Sequence, residues 1–320
     1  MSDPKDIDGV LVQWGDRLFY PGNRIVKARR DPRIVSRNMR ARAVVIRQRI
    51  EATVVRRAPQ VMVKVTGGGR GMKAIAAHFR YISKNGRLDI EDELGNVERG
   101  KSAVRELVED WRFGGSFIAE TSDRREAFNL MLSMPRGTDP LSLWRAAREF
   151  AQLELADHKY VLVLHEHQAN PHVHISVRAE SKRGKRLNPR KSDLHRWRET
   201  FAQALRNWGV DAEASRQATR GADRNYLSIW QTKAAARGDL RVSPRARKGG
   251  AAAIATRRQA GLAWSKIFEA LSGSAGETDR RLASSLAASM PRAEQISRLP
   301  ADSDRRVGLA HRTEDRTRGR

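Results

Sequence analysis

The 320-residue sequence contains no cysteine. Disulfides, cysteine-based zinc sites and thiol catalysis are therefore excluded at the outset. Acidic residues are scarce beside basic ones: 37 Asp and Glu stand against 62 Lys and Arg, a formal net charge of +25. No apolar run approaches the length a bilayer-spanning helix requires, and Met1 to Asp6 lack the pattern of a secretory signal. No internal repeat is evident. The expectation is a soluble, cytoplasmic chain with no membrane insertion, whose charge requires a polyanionic partner. Nucleic acid is the first candidate and an anionic membrane surface the second. Charge alone fits equally well a ribosome-like or chromatin-like binder with no chemistry.

The chain is organised around residues 160–178. Two alternating apolar runs, 160–164 and 173–177, flank the turn signal Gln168-Ala169-Asn170-Pro171, a pattern that predicts a β-hairpin. Strand side chains alternate faces, so His172 and His174 point the same way, and His165 at the end of the facing strand reaches the same patch. Four of the eight histidines lie between 165 and 174. A lone buried histidine is usually a hydrogen-bonded core residue. Three converging on one face are a ligand set for a divalent ion, Mg²⁺ or Mn²⁺ first and Zn²⁺ as an alternative, with positions open for substrate.

Around this hairpin the rest falls into order. Residues 1–59 read as a basic extension, with a possible basic helix over 36–57 suited to phosphate contact or to mere solvation. A short strand at 61–65 leads to the glycine run Gly67–Gly71, which matches no phosphate-binding pattern and is explained as well by flexibility. A helix over 72–83 buries Ile75, Ala76, Phe79 and Ile82 and stops at Lys84-Asn85-Gly86. Tyr81 lies on another face of it, and from position alone reads as a packing aromatic. A charged helix is expected over 102–112 and a strand over 127–135, stopping at Pro135. Ser133 sits at that strand's end, either a phosphate-binding hydroxyl or a surface serine. Thr138 or Asp139 caps a helix running to about 156.

After the hairpin, the basic turn Lys182, Arg183, Lys185, Arg186 is expected beside the metal, gripping a backbone phosphate. Ser192-Asp193 caps a helix over 194–208 whose stripe of Leu194, Trp197, Phe201, Leu205 and Trp208 is core. Helices are possible at 226–237 and 250–272, and roughly the last 45 residues read as weakly ordered. The whole pattern implies an α+β fold with helices on one face of an antiparallel sheet.

These residues resemble a known family, the HUH (His-hydrophobe-His) relaxases of conjugation and mobilisation. The nearest branch is the P-type mobilisation relaxases, which include the T-DNA border endonuclease. Three blocks carry the likeness: Ala77–Gly86, Leu132–Thr138, and His165 through His174, the most specific of them. The likeness spans roughly 60–221, which implies an HUH nuclease domain with a ferredoxin-like palm over 60–221, a basic extension at 1–59 and a basic, partly disordered region at 222–320.

The resemblance puts Tyr81 in the nucleophile's place, changing its reading from packing residue to catalyst. It makes Ser133 and Arg136 DNA contacts near the scissile phosphate, and His165, His172 and His174 the metal ligands. The activity implied is nicking of single-stranded or extruded DNA at the transfer origin of a plasmid or integrative element, through a 5′-phosphotyrosyl intermediate. Accessory DNA-binding proteins and a type IV secretion coupling protein are the implied partners, and Arg316–Arg320 is similar to an export signal. One departure stands out: the family usually has an acidic residue where this chain has His167. It would be a fourth ligand, the base that takes the Tyr81 proton, or the mark of a weakened site. Competing readings are an HUH replication initiator, a non-catalytic DNA-binding accessory protein of the same fold, and a phosphodiesterase using activated water.

Overall fold

Alternation decides the centre of the molecule. In β6 (His172–Ser181), Val173, Ile175 and Val177 face one way and His172, His174 and Ser176 the other. β6 lies between β4 (Ala127–Ser133) and β5 (His158–His165), both antiparallel to it. The full sheet has six strands, in the order β1-β4-β6-β5-β2-β3, with β1 (Met62–Gly69) at one edge and β2 (Ile90–Asp92) and β3 (Val97–Glu98) at the other. All named pairings are antiparallel, so the α+β expectation holds. The structure is a computed structural model and describes residues 4–20, 39–168, 170–222, 229–241 and 250–289.

Helices cover both faces, not the one face expected. On the first, α5 (Pro140–Glu154) and α6 (Lys191–Asn207) bury Phe150, Trp197 and Phe201 against Leu130, Leu132, Val173 and Ile175. Each such aromatic removes about 150–250 Å² from water, which at ~25 cal/mol per Å² makes this the dominant local stabilisation. Asp139 caps α5 by accepting from the Ser142 backbone N–H at 2.8 Å, as its sequence position predicts. Trp208, expected in the core, is instead 42% exposed, with its Nε1–H donating to Glu149 at 3.0 Å.

On the second face, α3 (Met72–Ile82) and α4 (Lys101–Phe113) pack Met72, Ile75, Phe79, Ile82 and Trp111 over Val161 and Val163. Those valines share their face with the histidines, because Val163 is the register partner of His174. The second helical layer therefore brings the end of α3 to the histidines. Because β5 and β6 are buried on both faces, this second layer leaves no separate signal in the sequence.

The glycine run also differs from expectation. Gly67, Gly68 and Gly69 continue β1 and pair with Asn129, Phe128 and Ala127, after a register shift between Val65 and Gly67. Arg125 and the Ala127 carbonyl crowd the space where a side chain on Gly68 would stand, so close backbone approach selects glycine there.

The ends of the described chain meet in an apolar cluster of their own. α1 (Pro4–Phe19) and α2 (Met39–Ile50), which continues as a π-helical turn over Glu51–Val55, pack Leu11, Leu18, Ile46 and Ile50 against Trp264, Ile267 and Leu286. The last three belong to α8 (Ala251–Ser272) and α9 (Glu277–Ser289), which follow the short α7 (Ile229–Ala236). Helix α9 falls within the stretch expected to be weakly ordered, yet Ala283 and Leu286 are buried. Three of the four arginines of α2 are engaged: Arg42 pairs with Asp16, Arg47 with Asp8 and Asp279, and Arg49 with Glu199 and Glu213. The Arg-rich run 316–320 lies outside the described residues, as does Ala169 of the hairpin turn. Among the described residues, no helix is long and apolar enough to cross a membrane.

Candidate active site and metal centre

The hairpin register places His165 opposite His172, and His174 one pleat further along β6. All three are buried, and one ring nitrogen from each lies within 4.8 Å of the others. Ring centroids are 4.6 Å apart for His165 and His174, and 5.0 Å for each of them to His172.

Their second nitrogens explain the arrangement. The Nε2–H of His165 donates to the Ile82 carbonyl at 2.7 Å, which leaves its Nδ1 with a lone pair, buried and without a hydrogen-bond partner. The Nδ1–H of His172 donates to the Asn170 carbonyl at 3.0 Å, which frees its Nε2. Nδ1 of His174 is likewise buried and unpartnered. Carbonyl acceptors that fix the tautomer of a histidine are the usual support of a metal ligand, and buried lone pairs with no donor are what an ion would satisfy. Burial pushes His174 down to about 3 and lowers His165 as well, so both rings stay neutral at physiological pH, as coordination requires. The residues present therefore fit a divalent ion.

Helix α3 ends over this cluster. Its Ile82 carbonyl meets His165, and Tyr81, one residue earlier, projects with 67% of its surface exposed while Phe79 is fully buried. The Tyr81 ring lies 6.2 Å from that of His174. A packing role for Tyr81 is thereby excluded. The helix stops there because Lys84, Asn85 and Gly86 all take positive φ, of 51°, 57° and 79°.

Ser133 is buried beside the cluster as register partner of His172, its hydroxyl donating to the Pro171 carbonyl at 3.2 Å. Arg136 is exposed in the turn just beyond it. His167 is exposed too, its ring 5.3 Å from that of His165. Because β5 ends at His165, strand alternation does not decide where Glu166 and His167 point.

The basic turn stands elsewhere. Lys182, Arg183, Lys185 and Arg186 follow the far end of β6, and at ~3.3 Å per strand residue they stand roughly 20 to 33 Å from His172 and His174. Arg186 pairs there with Glu126 and Glu180, and Arg183 with Asp157. The expectation that this turn sits beside the metal site does not hold. Proximity in sequence misled because a long strand separates its two ends in space.

One residue near the site carried no role in the sequence. His78, one turn before Tyr81 on α3, has its ring 6.2 Å from Tyr81 and 6.3 Å from His174. Its Nε2 is buried without a partner, and burial pushes it down to about 4. The i, i+3 spacing from Tyr81 was the signal available. His158, by contrast, is an ordinary core histidine, its Nδ1 at 2.9 Å from the Arg178 carbonyl.

Comparisons with known proteins fall on this same region. Residues 81–210 match the family model described as relaxase, MobA/VirD2-like, nuclease domain. No curated protein matches the chain. A solved structure described as "Molecular Basis of Vancomycin Resistance Transfer in Staphylococcus aureus" is 15% identical, covers 49% of this chain and 98% of its own, and superposes with a TM-score of 0.30. The matched segment begins at Tyr81 and contains Ser133 and all three clustered histidines. Over residues 81–210 the chain is thus similar to a MobA/VirD2-like relaxase nuclease domain.

Proposed function

We propose that this protein is a site- and strand-specific DNA relaxase that nicks one strand at a transfer origin by tyrosine transesterification. The observation that carries this reading is the exposed Tyr81 hydroxyphenyl group beside a buried set of three imidazoles, two of them oriented by backbone carbonyls. Tyr81 Oη attacks the scissile phosphorus, the P–O3′ bond breaks, the strand leaves with a 3′-hydroxyl, and a 5′-phosphotyrosyl bond forms. The phenolic proton passes to an imidazole. His78 has its ring beside Tyr81 and its Nε2 unpartnered, and His167 stands at the rim of the cluster. The phosphodiester energy is retained in the tyrosyl ester, so the strand is rejoined by the reverse attack without ATP.

His165, His172 and His174 would hold a divalent ion, which supplies Lewis-acid neutralisation of charge on the phosphate's non-bridging oxygens. An all-imidazole set favours Mn²⁺ or Zn²⁺ over Mg²⁺, whose preference is for oxygen. The β5–β6 hairpin and the α3 terminus hold these groups on regular elements, and positioning is most of what phosphoryl transfer asks of a protein. Ser133 and Arg136 flank the reacting phosphate. Lys182, Arg183, Lys185 and Arg186 contact DNA further out, beyond the far end of β6. Residues 60–221 form the nuclease unit, with 1–59 and 222–320 as basic flanking regions. The partners that follow are a coupling protein of type IV secretion and DNA-binding accessory proteins.

The test uses single-stranded oligonucleotides tiled across the transfer-origin region of the protein's own element, with Mn²⁺ or Mg²⁺. A covalent protein–DNA band that disappears with EDTA and with Tyr81→Phe is the expected result. Cleavage to free ends without an adduct would instead indicate activated water. Binding without cleavage across a well-covered origin would indicate an accessory DNA-binding protein.

A further inference from the structure

Between α3 and α4 runs an open groove of about 890 Å³ that no part of the nicking chemistry uses. Its walls carry four cations, Arg80 and Arg87 on the α3 side and Lys101 and Arg105 on α4, over a floor of Val104 and Val108. All four cations are exposed, and among the described residues none has an acid within ion-pair distance. That distinguishes them from Arg42, Arg47 and Arg49 of α2 and from Arg183 and Arg186 of the β6 turn, which are spent on carboxylates.

The charge of α4 is sorted by face. Lys101 and Arg105, one turn apart, look into the groove, while Glu106 and Asp110, also one turn apart, line a separate 240 Å³ pocket on the other side, where Asp110 pairs with Lys159 at 2.5 Å. The groove's own acid, Glu109, pairs with Arg112 at 3.3 Å. The groove thus carries four unpaired cations against one acid that is already paired. Four cations on two walls fit a succession of phosphates along a chain better than one small anion.

The groove is also held rigid at the end nearest Tyr81. Gly86 takes a positive φ of 79°, and its carbonyl accepts from the Gly100 N–H at 3.0 Å, just before α4 begins. Any side chain on Gly86 would run into the Gly100 backbone, so the two helices are pinned at this point. Arg80 precedes Tyr81 directly on α3, so the groove and the nucleophile lie on adjoining faces of the same helical turn.

We propose that the α3–α4 groove binds the backbone of the single DNA strand flanking the scissile phosphate, with Arg80, Arg87, Lys101 and Arg105 as its phosphate contacts. Asn85, also in the groove, is the side chain that can hydrogen-bond a base edge there. This inference rests on Tyr81 being the nucleophile only for which strand the groove receives.

Fluorescence anisotropy in the Tyr81→Phe protein, which prevents turnover, tests it with three oligonucleotides: a core around the nick site, the core extended on its 3′ side, and the core extended on its 5′ side. In the Arg87→Gln/Arg105→Gln variant, affinity for one of the two extended strands should fall about tenfold at 0.1 M salt. Its log–log salt slope should drop by about 1.4, since single strands lose roughly 0.7 per phosphate contact. Arg281→Gln, an exposed arginine of α9 paired with Glu277, should change neither quantity. Unchanged affinity and slope for both extended strands, or the same loss with Arg281→Gln, would overturn the groove as a DNA site. The outcome is separable from the nicking reading. A Tyr81-dependent adduct in the wild-type protein with no effect of the groove variant sinks the groove alone. Loss of strand binding by the groove variant, with no adduct from the wild-type protein, sinks the nicking reading and leaves a single-strand binding groove.

Discussion

At the scale of single residues, the three hairpin histidines differ in what holds them. His165 and His172 each give one N–H to a backbone carbonyl, whereas Nδ1 of His174 has no partner. His174, 7% exposed and pushed down to about 3, is a proton-free ring in the folded state over the whole physiological range. A base whose folded pKa is depressed stabilises the fold above its unfolded pKa, near 6.5, and that stability is lost as pH falls towards the folded value. For the metal-free protein in EDTA, the melting temperature should therefore decline as pH drops from about 6.5 to 4. The slope corresponds to about 1.4 kcal/mol per pH unit from this residue, and His174→Asn should make it shallower. A slope identical in the variant would show that the ring is not buried neutral. At position 167 the exposed ring is 5.3 Å from His165, where the resembling family carries an acid. His167→Asp is expected to keep nicking activity within a few-fold of the wild type in the gel assay. Complete loss would give the imidazole a role of its own in this chain.

At the scale of elements, the site depends on α3 and α4 being fixed over β5 and β6. Arg178 does part of this from within the sheet. It is 4% exposed, and its guanidinium donates to the carbonyls of Trp111, Gly114 and Ser116, tying the end of α4 to β6. Arg178→Ala leaves those carbonyls without their donor, so chemical denaturation should report a loss of about 3 kcal/mol. A loss under 1 kcal/mol would mean the loop repairs its own hydrogen bonds. These elements also show how much could be read beforehand. The hairpin, α3 with its stop at Lys84-Asn85-Gly86, the end of β4 at Ser133 and the Asp139 cap were all legible, because alternation, helical spacing and cap chemistry are local signals. The short strands β2 and β3 were not, since pairing alone and not composition makes them strands. Nor was the use of Gly67–Gly69 as strand, which depends on Arg125 and Ala127 lying across from it. The histidine trio was legible as a set because its members are close in sequence. His78 was not, because only the fold of α3 over β6 brings it near them.

At the scale of the molecule, the described N-terminal helices and the late helices α8 and α9 complete one another. Thr219, fully buried, donates its hydroxyl to the Leu18 carbonyl at 2.9 Å, and its own carbonyl accepts from Trp264 Nε1–H at 2.7 Å, so three distant parts of the chain meet at one residue. Arg49, 7% exposed, adds a second tie by reaching Glu199 of α6 and Glu213. Sequence alone showed neither tie, because apolar residues of α1, α2, α8 and α9 are sparse and gain meaning only when assembled. Deleting residues 1–59 removes Leu11, Ile46 and Ile50 from beneath Trp264 and Ile267. Limited proteolysis of that truncated protein should then cut within 250–289 many times faster than in the full chain. Equal cutting rates would show that α8 and α9 need no partner from the N-terminal region.

The most direct measurement of the central claim is the site and polarity of the covalent bond. The adduct formed with a cleavable origin oligonucleotide would be digested with nuclease and protease, and the remaining nucleotide located by tandem mass spectrometry. The expected result is a nucleotide joined through its 5′-phosphate to Tyr81, with a free 3′-hydroxyl on the released strand. A nucleotide on any other residue, a 3′-phosphate linkage, or nicked DNA with no modified peptide would contradict Tyr81 as the nucleophile.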